Sequence, residues 1–233
     1  MGFGALIITG FFMLVGWIVS SRLKGKFHKY SQIQLTQNLT GADVARLMLA
    51  DNGISDVKVI SVEGQLTDHY NPVNKTVNLS ADVYSGRNAA ATAVAAHECG
   101  HAVQHAKAYS MLELRSALVP IQNVSAKVIN FIFIAMMFGA YAMGGIFSYD
   151  TALLIIIACY GVFALFALVT LPVEFDASKR ALAWIEQRGV VTTQEHDMAK
   201  DALKWAAMTY VVAAIGAITM LLYYVMIFLG RRD

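Results

Sequence analysis

Five consecutive residues, His97-Glu98-Cys99-Gly100-His101, carry the chemistry this sequence offers most plainly. They spell H-E-x-x-H. On a helix, residues four apart are neighbours on one face, so both imidazoles can reach one ion. Glu98 stands one step round, placed to accept a proton from a water activated by that ion. The plainer alternative is a helix with incidental surface histidines. The run AAATAVAA directly before His97 predicts an Ala-rich helix from Asn88 to about Tyr109, which puts the motif in its middle.

A catalytic zinc takes three protein ligands and keeps a fourth position for water. One Zn²⁺ is therefore expected, and its third ligand must come from elsewhere. His105 continues the four-residue spacing but lies about 12 Å along the axis from His97. One tetrahedral ion cannot span that, and an exposed polar residue is the simpler reading of His105. Cys99 stands about 200° round the helix from His97 and reads as packed rather than coordinating. The extended signature H-E-x-x-H-x-x-G-x-x-H fails, because Gln104 and Lys107 stand where it needs Gly and His. The best remaining candidate is Glu174, in LPVEFDASKRAL. That segment reads as the start of an amphipathic helix (Phe175, Ala181, Leu182, Ile185), with Pro172 as a helix break or an early-turn residue. Asp176 competes for the same role, although pairing with Arg180 or serving the helix N-terminus also accounts for it. A carboxylate at a membrane boundary can also be a simple interfacial residue.

The elements that must position these groups lie in an unusually apolar chain. Of 233 residues, 57% are hydrophobic and 15% charged, against roughly a quarter charged in soluble domains. A net charge of +2 excludes a strongly basic nucleic-acid binder, so no nucleic-acid partner is expected. Two cysteines cannot make a disulfide framework. Four stretches, 2–21, 128–147, 151–173 and 206–230, are long and apolar enough to cross a bilayer. The first reads as a retained anchor rather than a cleaved signal, because its basic cluster (Arg22, Lys24, Lys26, Lys29) follows it. Residues 148–150 lack Lys and Arg, whereas 174–205 carry Lys179, Arg180, Arg188, Lys200 and Lys204. The positive-inside rule then puts residues 22–120 and 174–205 together on the cytoplasmic face, with Arg231 and Arg232 voting the other way. Between the first two spans, a helix is expected from Thr40 or Gly41 to Asn52-Gly53, and strands at Val57–Val62 and Lys75–Ser80 around a turn at Asn71-Pro72.

Three blocks, LTDHYNPVNKTVNLS, AHECGHAVQHA and LPVEFDASKRAL, with four spans around them, resemble the bacterial YugP-type neutral zinc metallopeptidases over nearly the whole chain. More distantly, the E-F-x-A arrangement is similar to the membrane peptidases HtpX and the CAAX prenyl protease. In those, H-E-x-x-H supplies two zinc ligands and the Glu of a later E-[FY]-x-A-D supplies the third. The resemblance thus implies Glu174 as the third ligand. The chain departs at the last position, where Ser178 replaces Asp. That removes the carboxylate that usually supports a ligand, and leaves Asp176 as the neighbour to substitute for it.

These readings converge on an α+β, mainly α protein. It has four transmembrane helices and a small zincin-like cytoplasmic domain containing a short sheet and the H-E-x-x-H helix. The expected organisation is an anchor helix (1–21), the zincin-like domain (22–120), a transmembrane hairpin (121–173), a cytoplasmic helical segment with the third ligand (174–205) and a last span (206–233). The expected function is zinc-dependent peptide hydrolysis near the cytoplasmic face of the inner (plasma) membrane. His97, His101 and Glu174 would hold the metal and Glu98 would act as base. His69 would be the second donor to the developing oxyanion, with Tyr70 beside it as an alternative, since in zincins an edge strand before the active helix often receives substrate. Expected partners are a peptide or membrane-protein substrate and membrane lipid; the sequence does not give the oligomeric state. Three other classes compete. Intramembrane cleavage is disfavoured by Arg87, Glu98 and Lys107 on the motif's helix and by the lack of an L-D-G element. A membrane chaperone or assembly factor would carry a non-catalytic zinc site, usually closed by four Cys or His ligands. A transporter would show charged residues deep in its spans.

Overall fold

The computed structural model describes residues 2–142 and 148–230. Arg231, Arg232 and the 143–147 end of the second expected span lie outside the described residues. The elements run α1 (Phe3–Ser31), α2 (Gly41–Asp51), β1 (Lys58–Val62), β2 (His69–Asn71), β3 (Thr76–Ser80), α3 (Ala81–Ser85), α4 (Ala89–Ala106), α5 (Ser110–Ala142), α6 (Tyr149–Gln187) and α7 (Thr193–Leu229). The fold is mainly helical with one small sheet. α1, α6, α7 and the Ser110–Ala135 part of α5 are long and apolar enough to cross a membrane. The chain divides into two compact units.

One unit comprises Met1–Trp17, Leu114–Leu171 and Tyr210–Asp233. Its apolar side chains are arranged the wrong way round for water. Phe3, Phe11, Trp17, Phe131, Leu154, Leu222 and Met226 are exposed. A smaller inner set, including Ile129, Leu153, Ile156, Met220 and Tyr224, packs together. Helices satisfy their own backbone groups, so such a surface is stable against hydrocarbon and not against water. Pro172 does not break the chain as the local pattern predicts: α6 runs 39 residues with Pro172 inside it. A proline removes one backbone hydrogen bond and crowds the preceding turn, and a ladder this long absorbs the loss. Glu174 therefore lies in a helix interior, not in a first turn.

The other unit comprises Ile18–Glu113 and Pro172–Thr209. Its three strands are ordered β1-β3-β2, with β1 parallel and β2 antiparallel to β3. β2 is therefore an edge. α2 starts at a capping box: the Thr40 hydroxyl accepts the Asp43 N–H at 3.0 Å, and the Asp43 carboxylate accepts the Thr40 N–H at 3.1 Å. Its apolar stripe, Val44, Ala45, Met48 and Leu49, is buried as its spacing requires. α4 is capped by Asn88, whose side chain accepts the Ala91 N–H at 2.8 Å. Its alanines are buried against Val77, Leu79, Val83, Ala181 and Ile185 in one core. Small side chains let backbones come close, and that closeness shapes the site below.

Candidate metal centre

α4 meets α6 at Gly100 and Ala177. A Cβ on Gly100 would lie 2.6 Å from the Ala177 carbonyl oxygen, well inside any ordinary contact. Only glycine admits this approach. His97 and His101 flank Gly100 on α4, and Glu174 sits one turn before Ala177 on α6. The Glu174 Oε2 atom lies 3.3 Å from His97 Nε2 and 3.6 Å from His101 Nε2. One donor atom from each residue falls within 4.8 Å of the other two. In a tetrahedral zinc site with bonds of about 2.0–2.1 Å, neighbouring ligand atoms stand about 3.3 Å apart. The two separations from Glu174 Oε2 fit that geometry with little adjustment. His101 and Glu174 are buried and His97 is half-buried. Among the described residues, two nitrogens and one oxygen converge, one donor short of a closed tetrahedron.

The local charge suits a cation. Burial pushes the His101 imidazole pKa down, but the Glu174 hydrogen bond and the Glu98 and Glu174 charges outweigh it, so the value stands above normal. Glu98 is buried as well, and its Oε2 accepts the backbone N–H of Tyr70, on β2, at 3.0 Å. Behind that strand, Asp68 accepts the Ser80 N–H at 2.7 Å. Burial chiefly, with help from the Glu98 charge, pushes the Asp68 carboxyl up.

Residues 5–229 match the family described as "putative neutral zinc metallopeptidase". The chain belongs to that family. It is 42% identical over 213 residues to "Putative membrane protease YugP" of Bacillus subtilis (strain 168), a match that covers 91% of each protein. No solved structure matches. Membership in a zinc peptidase family implies zinc, and a set of two imidazoles and one carboxylate is chemistry that zinc accepts.

The neighbours of the three donors show how they are held. The Ser178 hydroxyl lies 3.1 Å from His97 Nδ1. The Gln104 Oε1 atom lies 3.0 Å from His101 Nδ1. The Gln104 Nε2 group donates to the Val173 carbonyl and to Asp176 Oδ2, both at 2.8 Å. Asp176 also accepts from Arg180 Nε at 2.6 Å. Asp176 is thus engaged with Gln104 and Arg180, and the structure does not bring it into the three-donor cluster.

His69 and His105 stand apart from that cluster. His69 is exposed, and its Nδ1–H donates to the Thr67 carbonyl at 2.8 Å. His105 is exposed too, with Nδ1 2.7 Å from the Tyr70 hydroxyl. Cys99 is fully buried with its Sγ 3.5 Å from the Ala45 carbonyl, on the core side of α4. Four participants escape the sequence reading: Gly100 as a contact, Gln104, Ser178 as a histidine partner, and the Tyr70 amide. Gln104 leaves one faint signal, its i, i+3 spacing from His101.

Proposed function

We propose that this chain is a membrane-embedded zinc metalloendopeptidase of gluzincin type, with a small zincin-like domain and one Zn²⁺ held by His97, His101 and Glu174. The observation that carries the reading is the meeting of these three donors beside a buried Glu98 whose one oxygen is already anchored. Zinc held by these three residues would supply Lewis acidity, acidifying water and polarising a peptide carbonyl.

The remaining steps belong to the chain's own groups. The Tyr70 N–H engages Glu98 Oε2 and fixes the carboxylate plane, so Oε1 takes the proton as water attacks the scissile carbonyl. Glu98 then delivers that proton to the leaving amine, and two peptides result. His69, exposed on the edge strand that also carries Tyr70, is the proposed donor to the developing oxyanion. Burial of His101 and Glu174 keeps bulk water from competing for the donors.

Glu174 directly follows an apolar stretch in the sequence, which supports a reaction close to the membrane surface. The basic residues that follow the first and third spans favour the cytoplasmic side of the inner membrane for it, in a multi-pass protein. The domain plan is then the one expected above, with 22–120 and 174–205 jointly forming the site. Substrates of this reading are peptides or the exposed cytoplasmic segments of membrane proteins. The test is Glu98→Gln. Zinc retained with proteolysis abolished supports the reading; cleavage retained by the variant removes Glu98 from the base role. A cellular function that survives in Glu98→Gln favours a chaperone.

A further inference from the structure

We propose that Gln104 is a positioning residue that dictates which nitrogen of His101 faces the metal, and that Asp176 and Arg180 hold Gln104 in the orientation this requires. The inference rests on the zinc reading above and assigns work to a residue that neither ligates nor reacts.

Gln104 is fully buried. A glutamine side chain presents two chemically opposite ends, and its neighbours decide which end goes where. The Val173 carbonyl can only accept, so the group 2.8 Å from it must be the NH₂. The same NH₂ faces Asp176 Oδ2 at 2.8 Å, and a flipped amide would set an oxygen against both acceptors at once. Arg180 donates to that Asp176 oxygen at 2.6 Å, which pins the carboxylate and with it the amide. The remaining end of Gln104, Oε1, is an acceptor and lies 3.0 Å from His101 Nδ1. Nδ1 must therefore carry a hydrogen, and the neutral ring that takes a metal keeps its lone pair on Nε2, the atom 3.6 Å from Glu174 Oε2. The chain of constraint runs from Arg180 through Asp176 and Gln104 to His101, and ends on the donor cluster.

His97 has no such device. Its Nδ1 faces the Ser178 hydroxyl, which can donate or accept and so imposes no tautomer. A carboxylate thus acts on His101 through an amide. Partners that fix the tautomer of a metal-binding histidine typically govern affinity by about 10–100-fold.

The experiment measures zinc affinity by competition with a chromogenic chelator, on the full chain in detergent. It compares the wild type with Gln104→Met (similar length, no acceptor or donor). The expected result is a loss of about 10-fold or more for Gln104→Met. Equal affinity of Gln104→Met and wild type overturns the proposal. The zinc-loaded wild type, labelled with ¹⁵N-histidine, gives a readout that needs no variant. Among the histidines that NMR shows protonated at Nδ1, one should lose its resonance in His101→Ala. Protonation of that ring at Nε2 overturns the proposal even where Gln104→Met fails to fold. A wild type that takes up no zinc overturns the underlying reading, and is distinguishable from a wild type that binds normally while Gln104→Met binds as well.

Discussion

Gly100→Ala is the substitution on which two physical effects pull in opposite directions. In a helix interior, alanine is favoured over glycine by about 1 kcal/mol. If α4 were free at this position, the variant would be more stable than the wild type. The structure says otherwise. The added Cβ would stand 2.6 Å from the Ala177 carbonyl oxygen, where ordinary contact begins at 3.4 Å. The obstructing atom is backbone in the middle of α6 and cannot rotate aside, so the helices must separate by about 0.8 Å or bend. Overpacking of this kind costs about 1–3 kcal/mol, enough to cancel or reverse the propensity gain. The metal site is less forgiving still. Ligand distances tolerate about 0.2 Å, and Glu174 lies one turn from the point of contact. Gly100→Ala is therefore expected to melt at or below the wild-type temperature in detergent, and to bind zinc at least about tenfold more weakly. Thermal unfolding with and without a chelator, paired with a zinc titration, measures both. A variant that melts higher and binds zinc as tightly as wild type would refute the reasoning.

Two further outcomes follow from geometry described above. Glu174→Ala should abolish stoichiometric zinc by elemental analysis of the purified chain while Asp176→Ala retains it; near-equal zinc in Glu174→Ala would return the third-ligand role to another residue. Thr40→Ala should destabilise α2 by about 1 kcal/mol. The Asp43 partner in that cap gives its effect a pH signature. The Thr40 hydrogen bonds hold the Asp43 carboxyl below its ordinary 3.8, so its contribution is present above 3.8 and fades as pH falls through the lower folded value. Acid titrations of unfolding for wild type and Asp43→Asn should converge at the low end of that range, and curves that stay parallel would exclude the linkage.

What could be read without coordinates divides along the range of the interactions. The H-E-x-x-H spacing, the stripe of α2 and the first, third and fourth apolar stretches are local or compositional, and they fall within the helices expected of them, whereas the second, expected at 128–147, meets a membrane-length stretch at Ser110–Ala135. β2 is three residues long, too short for alternation to register, and exists because β3 offers it a partner at Val77 and Asn78. Pro172 misleads because a residue's intrinsic cost is read locally, whereas a 39-residue helix pays it once. The contact between Gly100 and Ala177 and the links from Gln104 to Val173 and Asp176 join segments more than sixty residues apart. No spacing rule reaches that far. Glu174 is legible as a candidate ligand from its place directly after the third apolar stretch, and the resemblance points to it as well; the manner in which both imidazoles are steadied is not legible.

The hydrogen bond from the Tyr70 amide to Glu98 has a consequence for any polypeptide that lies along the border of the sheet. An incoming strand normally docks by exchanging main-chain bonds with the outermost strand. At Tyr70 the donor such a visitor would use is already committed to a side chain of α4. A visitor must either skip that rung, leaving a gap in its own ladder, or displace the carboxylate that the proposed reaction uses as its base. Productive registers are then those that pair around Tyr70 and not with it, so methylating single backbone nitrogens and replacing single carbonyls along a cleaved peptide should reveal one silent rung opposite this residue.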